Sequence, residues 1–309
     1  MNLDFEQKEE INYSIIIPHK NSTVLLERCL ISIPCRKDVQ VIVVDDNSEN
    51  WEELNTVVDG FLQVELISTQ GGGAGHARNE ALKYIRGKWV LFADADDFFH
   101  QGFLSELDKY LTSQYDIVFF DVNSCFSDDL NPCEPRIYEI SKGIKNRDVE
   151  YLKWKVHVVW GKLFNAGLIR NNHLLFDEVM ASNDVMFACM ASYHARKIEI
   201  DSFVLYCSTV NLNSLCYKMT RNNLDTRIDV ALRYNKFVHS VGKGKYQINV
   251  FSILFFYKQL GYGLFFKMFI YYMKKSTLKM VVKDIKLTFC GGGRLLLGKN
   301  KLRKLYNAK

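Results

Sequence analysis

The residues whose types and spacing could do chemistry are three carboxylates that close an apolar run, Lys88-Trp-Val-Leu-Phe-Ala-Asp-Ala-Asp-Asp-Phe-Phe99. Trp89 to Ala93 reads as a fully buried strand, and Asp94, Asp96 and Asp97 fall where that strand leaves its sheet. Carboxylates at a buried edge need a positive partner. The Asp-X-Asp spacing puts Asp94 and Asp96 on one face of an extended segment, and hard oxygen ligands of that kind suit Mg2+ or Mn2+ shared with phosphate oxygens. By itself the tripeptide also fits a solvated loop after a strand, so its reading depends on its surroundings.

The elements before it supply those surroundings. Tyr13 to Ile17 is an apolar run closed by Pro18, with a helical pattern from Ser22. Val39 to Val44 reads as a second strand ending in Asp45-Asp46-Asn47-Ser48, and Trp51 to Val58 as a helix. Val64 to Ile67 is a third strand, Ala74 to Ile85 a third helix and Trp89 to Ala93 the fourth strand. Alternating strands and helices imply a mostly parallel sheet, and such open sheets bind ligands beyond the carboxyl ends of their strands. Pro18, Asp46, the Gly71 to Gly75 loop and Asp94 all fall at such ends. The loop Gly71-Gly-Gly-Ala-Gly-His-Ala-Arg78 lacks the Gly-Lys-Ser/Thr of a P-loop, and His76 stands where a dinucleotide fingerprint needs its third glycine. It still offers bare amides and Arg78 at a helix start, a seat for a diphosphate or a base. A flexible strand-to-helix connection is the other reading of the same residues.

Four segments in order, Ser14-Ile-Ile-Ile-Pro-His-Lys-Asn21, Val43-Val-Asp-Asp-Asn-Ser48, Gly71 to Asn79 and Phe92-Ala-Asp-Ala-Asp-Asp97, resemble the nucleotide-sugar half of family 2 glycosyltransferases. The resemblance is strong over residues 13–100. It implies a GT-A fold and an inverting sugar transfer. It also implies roles: Asp46 for a uracil-type base beside Pro18 and Lys20, Arg78 for the nucleotide, Asp94 for the ribose or diphosphate, and Asp96 as ligand of Mn2+ or Mg2+. Asp97 then either supports the ligands from behind or is structural. Lys20 stands where many members carry Tyr, and Gly71 where Asn is common.

Further on, Asp116 to Asp121 reads as a strand and Ser127 to Pro135 as a surface loop. Val158-Val-Trp-Gly-Lys-Leu-Phe164 and Asn183-Asp-Val-Met-Phe187 resemble the acceptor half of the same family, where a Glu-Asp pair commonly supplies the catalytic base. Here the pair is Asn183-Asp184, and the resemblance makes Asp184 the candidate base. The same dipeptide before an apolar run is a good helix N-terminus, where both residues stabilise free amides and the ionised carboxylate is favoured. His157, His173 and His194 have no partner at metal spacing; His194, on the helix that follows Asp184, is the nearest to an extra ligand.

Charge divides the chain. Residues 243–309 carry fifteen Lys/Arg against one acid, Asp284, or +14, while the remainder is −9. That places a boundary near Ser240 to Lys245: residues 1–240 form the catalytic domain (13–100 the nucleotide-sugar half, 101–240 the acceptor half), and 241–309 a basic, helical C-terminal region. Tyr246 to Tyr257 is uncharged, but Lys258 and Lys267 interrupt the run before it reaches the roughly 20 residues a bilayer span needs. Aromatics alternating with lysines suit helices lying on an anionic membrane surface. Packing as ordinary core is the other reading of that stripe. Nucleic acid is a possible acidic partner, without a recognised reading module to accompany it. Met1 to Asn12 is acidic and polar, with no signal peptide pattern, and the eight cysteines are scattered without CxxC pairs, so a cytoplasmic protein with reduced thiols is expected.

The expected protein is therefore a metal-dependent enzyme moving a sugar from a nucleotide diphosphate, UDP by resemblance, to a hydroxyl of a glycan or glycolipid in cell-surface polysaccharide synthesis. It would sit peripherally on the inner face of the cell membrane. A non-catalytic nucleotide- or nucleic-acid-binding protein using the basic tail is the competing class.

Overall fold

The computed structural model describes residues 10–211 and 220–290; the expectations that touch residues 1–9 and 291–309 lie outside them. Four strands open the chain: β1 (Tyr13–His19), β2 (Val39–Asp45), β3 (Val64–Ser68) and β4 (Trp89–Phe92). Helices α1 (Thr23–Ile31), α2 (Trp51–Val58) and α3 (Gly73–Leu82) connect them. Their continuous apolar runs reflect strands covered on both faces: every residue of β1, β2 and β4 is buried. Next come β5 (Phe98–Phe99), α4 (Phe103–Leu107), β6 (Ile117–Phe126), α5 (Tyr138–Lys145), α6 (Val149–Lys155), β7 (Lys162–Asn165), α7 (Ala166–Asn171), α8 (Val185–His194) and β8 (Ile198–Val210). Helices α9 (Arg221–Ser240), α10 (Val250–Leu254), α11 (Tyr262–Lys275) and α12 (Leu278–Cys290) complete the described chain.

The eight strands form one sheet in the order β3-β2-β1-β4-β7-β6-β8-β5. The sheet is mixed but mostly parallel: β1 to β4, β6 and β8 run one way, as expected, and β7 and β5 run against them. Strands β1 to β4 pair in parallel, but β7 runs antiparallel to both β4 and β6, and β5 antiparallel to β8. The physical reason lies in the connections: helical crossovers join the first four strands, whereas the α5–α6 excursion returns the chain to the end of the sheet it left, so β7 must run back.

Parallel pairing brings the carboxyl ends of β1, β2 and β4 together. His19 lies opposite Asp45, and Ile16 opposite Phe92, so Pro18, Asp46 and Asp94 emerge along one edge. Beneath that edge Phe92, Phe164, Phe176 and Phe187 pack as a cluster, with Phe176 and Phe187 stacked at 4.0 Å. Helix α9 packs two ways: Val230, Tyr234 and Val238 meet Trp154, Val185 and Cys189, while Leu224, Ile228 and Leu232 share a second core with Val250, Tyr257, Tyr272 and Met280.

Candidate active site

At the end of β2 the two adjacent aspartates point opposite ways. Asp45 is buried and accepts from the Ser48 amide at 2.9 Å and the Ser48 hydroxyl, with the His19 ring nitrogen Nδ1 2.9 Å away. Burial opposes its charge, yet the Ser48 bonds and His19 together hold its pKa below the usual carboxylate range. Asp46 faces the site. Its carboxylate accepts from the Gly73 amide at 2.8 Å and lies 3.4 Å from the Lys20 ammonium, which also donates to the Asp46 carbonyl. Lys20 and Asp46 are thus neighbours, and Pro18 lies opposite Val44 in the β1–β2 pairing that leads to them. The glycine run earns its composition here: Gly71, Gly72 and Gly73 take φ values of +96°, +139° and +84°, a succession that side chains would strain.

Asp94, Asp96 and Asp97 converge at the end of β4, with a carboxylate oxygen of each within 4.8 Å of the others. Asp97 is structural: it is fully buried, and its oxygens accept from the Tyr206 hydroxyl at 2.9 Å and the Thr209 amide at 2.6 Å. The same Tyr206 hydroxyl accepts from the Asp94 amide, and Trp160 stacks on its ring. Tyr206 and Thr209 therefore aim the acidic turn, a role not assigned from sequence; the β-branched and aromatic run Phe203 to Val210 was its only local signal. Asp94 and Asp96 keep solvent access. Burial and the neighbouring Asp94 charge push the Asp96 pKa up, with Arg136 and Arg28 pulling the other way. An all-oxygen pair whose charges repel at a half-open edge fits a hard divalent cation.

Helix α3 connects this turn to a distant loop. Gly75, Arg78 and Asn79 lie on one face of it. Arg78 is buried: one guanidinium nitrogen donates to Asp94 at 2.5 Å and another to Asn183 at 2.9 Å, with Phe176 beneath it at 5.3 Å. Asn79 pairs with the backbone of Phe176, and a side chain at Gly75 would meet the Asp177 carbonyl at 2.1 Å. This face of the helix thus docks residues 176–183.

Asp184 follows Asn183 as the residue before α8. It makes no side-chain capping bond and, among the described residues, no ion pair, so the capping expected of it is not realised. Desolvation pushes its pKa up, against the pull of Arg78, with Asp94 adding to the rise. The helix N-terminus therefore does not lower its basicity, contrary to the sequence-based expectation; burial outweighs it. The other acids of this loop are engaged: Asp177 accepts two bonds from Arg233 of α9, and Glu178 meets Asn79 and His76. His194 sits in the last turn of α8, nine residues beyond its start at Val185, and lines a separate polar cavity with Asp116 and Asn171. Behind the site Lys162 is buried with its ammonium 2.9 Å from the Val156 carbonyl, and burial pulls its pKa down to about 7.

Known proteins resemble this chain in sequence and in fold. The chain is 28% identical over 201 residues to the poly(ribitol-phosphate) beta-glucosyltransferase of Bacillus spizizenii, covering 61% of this chain and 31% of that protein. It is 27% identical over 213 residues to the glycosyltransferase EpsJ of Bacillus subtilis, covering 65% and 62%. The chain thus spans between 31% and 62% of the length of these relatives. Among solved structures, Staphylococcus aureus TarS 1-349 in complex with UDP-GlcNAc superimposes with a TM-score of 0.60 at 20% identity, over 74% of this chain and 66% of that one. The mannosyltransferase PcManGT from Pyrobaculum calidifontis, in complex with GDP-Man and Mn2+, gives 0.53 at 16%, over 90% and 87%. The α/β architecture is the GT-A fold. The profile of Glycosyl transferase family 2 matches residues 14–168, which hold β1 to β4, the glycine loop and the acidic turn, and the chain belongs to that family.

Proposed function

We propose that the protein is a metal-dependent inverting glycosyltransferase that moves a sugar from UDP to a hydroxyl of a glycan or lipid-linked glycan in cell-surface polysaccharide synthesis. Residues 13–100 hold the donor, 101–240 the acceptor, and 241–309 meet an anionic membrane surface on the cytoplasmic side. The observation that carries the transfer reading is the Arg78 guanidinium, which joins Asp94 of the donor edge to Asn183, the neighbour of Asp184. TarS crystallised with UDP-GlcNAc and a relative acting on poly(ribitol-phosphate) support the donor and the kind of acceptor.

In this reading Pro18, Lys20 and Asp46 receive the base, and Asp94 the ribose or diphosphate. Asp96 holds Mn2+ or Mg2+, which when bound neutralises charge on the leaving diphosphate. Asp184 accepts the acceptor hydroxyl proton as that oxygen bonds to C1 and the bond from C1 to the diphosphate breaks. A single displacement inverts the anomeric centre. Its raised pKa makes Asp184 a stronger base than a solvated aspartate while leaving it ionised above that pKa.

UDP release from UDP-sugars, measured with Mn2+ and with chelator, tests the reading. Metal-dependent release that falls at least about 10²-fold in Asp184→Asn is expected. Absence of turnover with every nucleotide sugar, together with no UDP binding, would overturn it.

A further inference from the structure

Helices α11 and α12 are each amphipathic twice over. Phe265, Met268, Phe269 and Tyr272 of α11, with Met280 and Val281 of α12, turn inward to the second core. A second apolar row on each helix turns out. On α11 it is Tyr262, Phe266, Ile270 and Met273, spaced i, i+4, i+8, i+11; on α12 it is Leu278, Val282, Ile285 and Phe289, spaced i, i+4, i+7, i+11. Exposure reaches 67% at Tyr262, 80% at Leu278 and 81% at Phe289, so the core does not account for these side chains.

Charge chooses the partner. Lys267 and Lys274 flank the outward row of α11, and Lys279, Lys283 and Lys286 that of α12. The one acid of the region, Asp284, is turned inward and fully buried, accepting from Gln247 at 2.6 Å, the Tyr272 hydroxyl at 2.7 Å and the Val250 amide at 3.2 Å. Asp225 and Asp229 of α9 meet Tyr257 and Tyr271 rather than the outward rows. The outer faces of both helices are therefore apolar and basic with no acid.

We propose that α11 and α12 dock in the headgroup layer of an anionic lipid surface, with Tyr262, Phe266, Ile270, Met273, Leu278, Val282, Ile285 and Phe289 entering the acyl boundary and the flanking lysines meeting lipid phosphates. This rests on the membrane reading above and names the face that carries it. Pairing of this face with the same face of a second copy would bring like charges together, and a nucleic acid backbone has no use for rows of Phe, Leu and Ile. The helices lie on the surface rather than cross it: α11 has 14 residues, about 21 Å against a hydrocarbon core of about 30 Å, and among the described residues no helix is long and apolar enough to span.

Flotation of the full-length protein with vesicles of equimolar phosphatidylglycerol and phosphatidylcholine, and with phosphatidylcholine alone, tests this. The intact chain should float with the anionic vesicles only, less so as salt rises. The double variant Phe266→Glu, Leu278→Glu should bind about tenfold more weakly or worse, with unchanged melting temperature and UDP binding, since both positions are exposed. Lys274→Gln with Lys279→Gln should weaken binding and reduce its salt dependence. If the intact chain floats and the Phe266/Leu278 variant floats equally, the membrane reading survives and this face is wrong. If the intact chain stays unbound at low salt, or self-associates without lipid in a way the same substitutions abolish, the proposal falls, whatever the outcome of the transfer assay.

Discussion

Asn79 and Phe176 pair as two strand residues would, although one offers a side chain and the other its backbone. The Asn79 amide nitrogen donates to the Phe176 carbonyl at 3.0 Å, and its oxygen accepts from the Phe176 amide at 2.8 Å. Asn79→Leu keeps the volume and strands both buried backbone groups. It should lower stability by roughly 2–4 kcal/mol, read by denaturant unfolding. A loss below 0.5 kcal/mol, taken as about the noise of surface substitutions, would show that the pairing is dispensable.

Gly75 tests the same loop without breaking a hydrogen bond. A β-carbon there would meet the Asp177 carbonyl at 2.1 Å, so Gly75→Ala must push residues 177–183 outward. Transfer should fall by about 10²-fold while UDP affinity stays within threefold or so, because the donor residues at β1, β2 and β4 do not move. An equal loss of UDP binding in calorimetry would mean that the loop belongs to the donor site instead.

Asp96 and Asp97 should separate metal binding from folding. Asp96→Asn removes a charge that burial and Asp94 both disfavour, so melting temperature without metal should hold or rise while Mn2+-dependent UDP binding disappears. Asp97→Asn alters the carboxylate held by Tyr206 and Thr209 and should melt earlier with Mn2+ affinity largely kept. The reverse pattern would exchange the two roles.

Asp184 gives a pH signature. Its folded pKa is raised, so its ionised form is disfavoured by folding, and the stability it contributes is lost as pH rises through that value. Asp184→Asn should therefore melt no earlier than the parent at pH 7 and lose transfer. In the parent, kcat/KM should climb with pH along a limb lying above about 3.9, the ordinary aspartate value. A limb at or below that value, or an Asp184→Asn enzyme of full activity, would send the base elsewhere.

Lys162 behaves with the opposite sign. Its pKa is lowered to about 7 by burial, so between that value and about 10.4 the unfolded chain binds the extra proton and stability rises with pH. Lys162→Met should stabilise most below pH 7, with the advantage shrinking towards pH 10. A constant difference across that range would mean the ammonium is not desolvated.

Strands β1 to β4 were legible because strands buried on both faces read as unbroken apolar runs, and the acidic turn because three carboxylates ended one of them. Strand β8 was not, although it holds the turn in place. Its partners for Asp97 are over a hundred residues away, and no local spacing marks Tyr206 and Thr209 as ligands of a buried acid. Whether Asp184 caps α8 was equally closed to sequence, because that turns on a hydrogen bond that the side chain does not make. Antiparallel β7, four residues long, carries too little pattern to announce its direction.

Arg78 touches Asp94 on one side and Asn183 on the other, and no second cation joins those two groups among the described residues. In the proposed reading, a donor whose ribose hydroxyls engage Asp94 changes what Arg78 has left for Asn183, so occupancy at one end would bias the other. Thermodynamic linkage makes that bias reciprocal: whatever factor the donor adds to acceptor affinity, the acceptor returns to the donor. The expected kinetic form is sequential, with apparent donor affinity that moves with acceptor concentration, and Arg78→Lys should uncouple the two before it abolishes either.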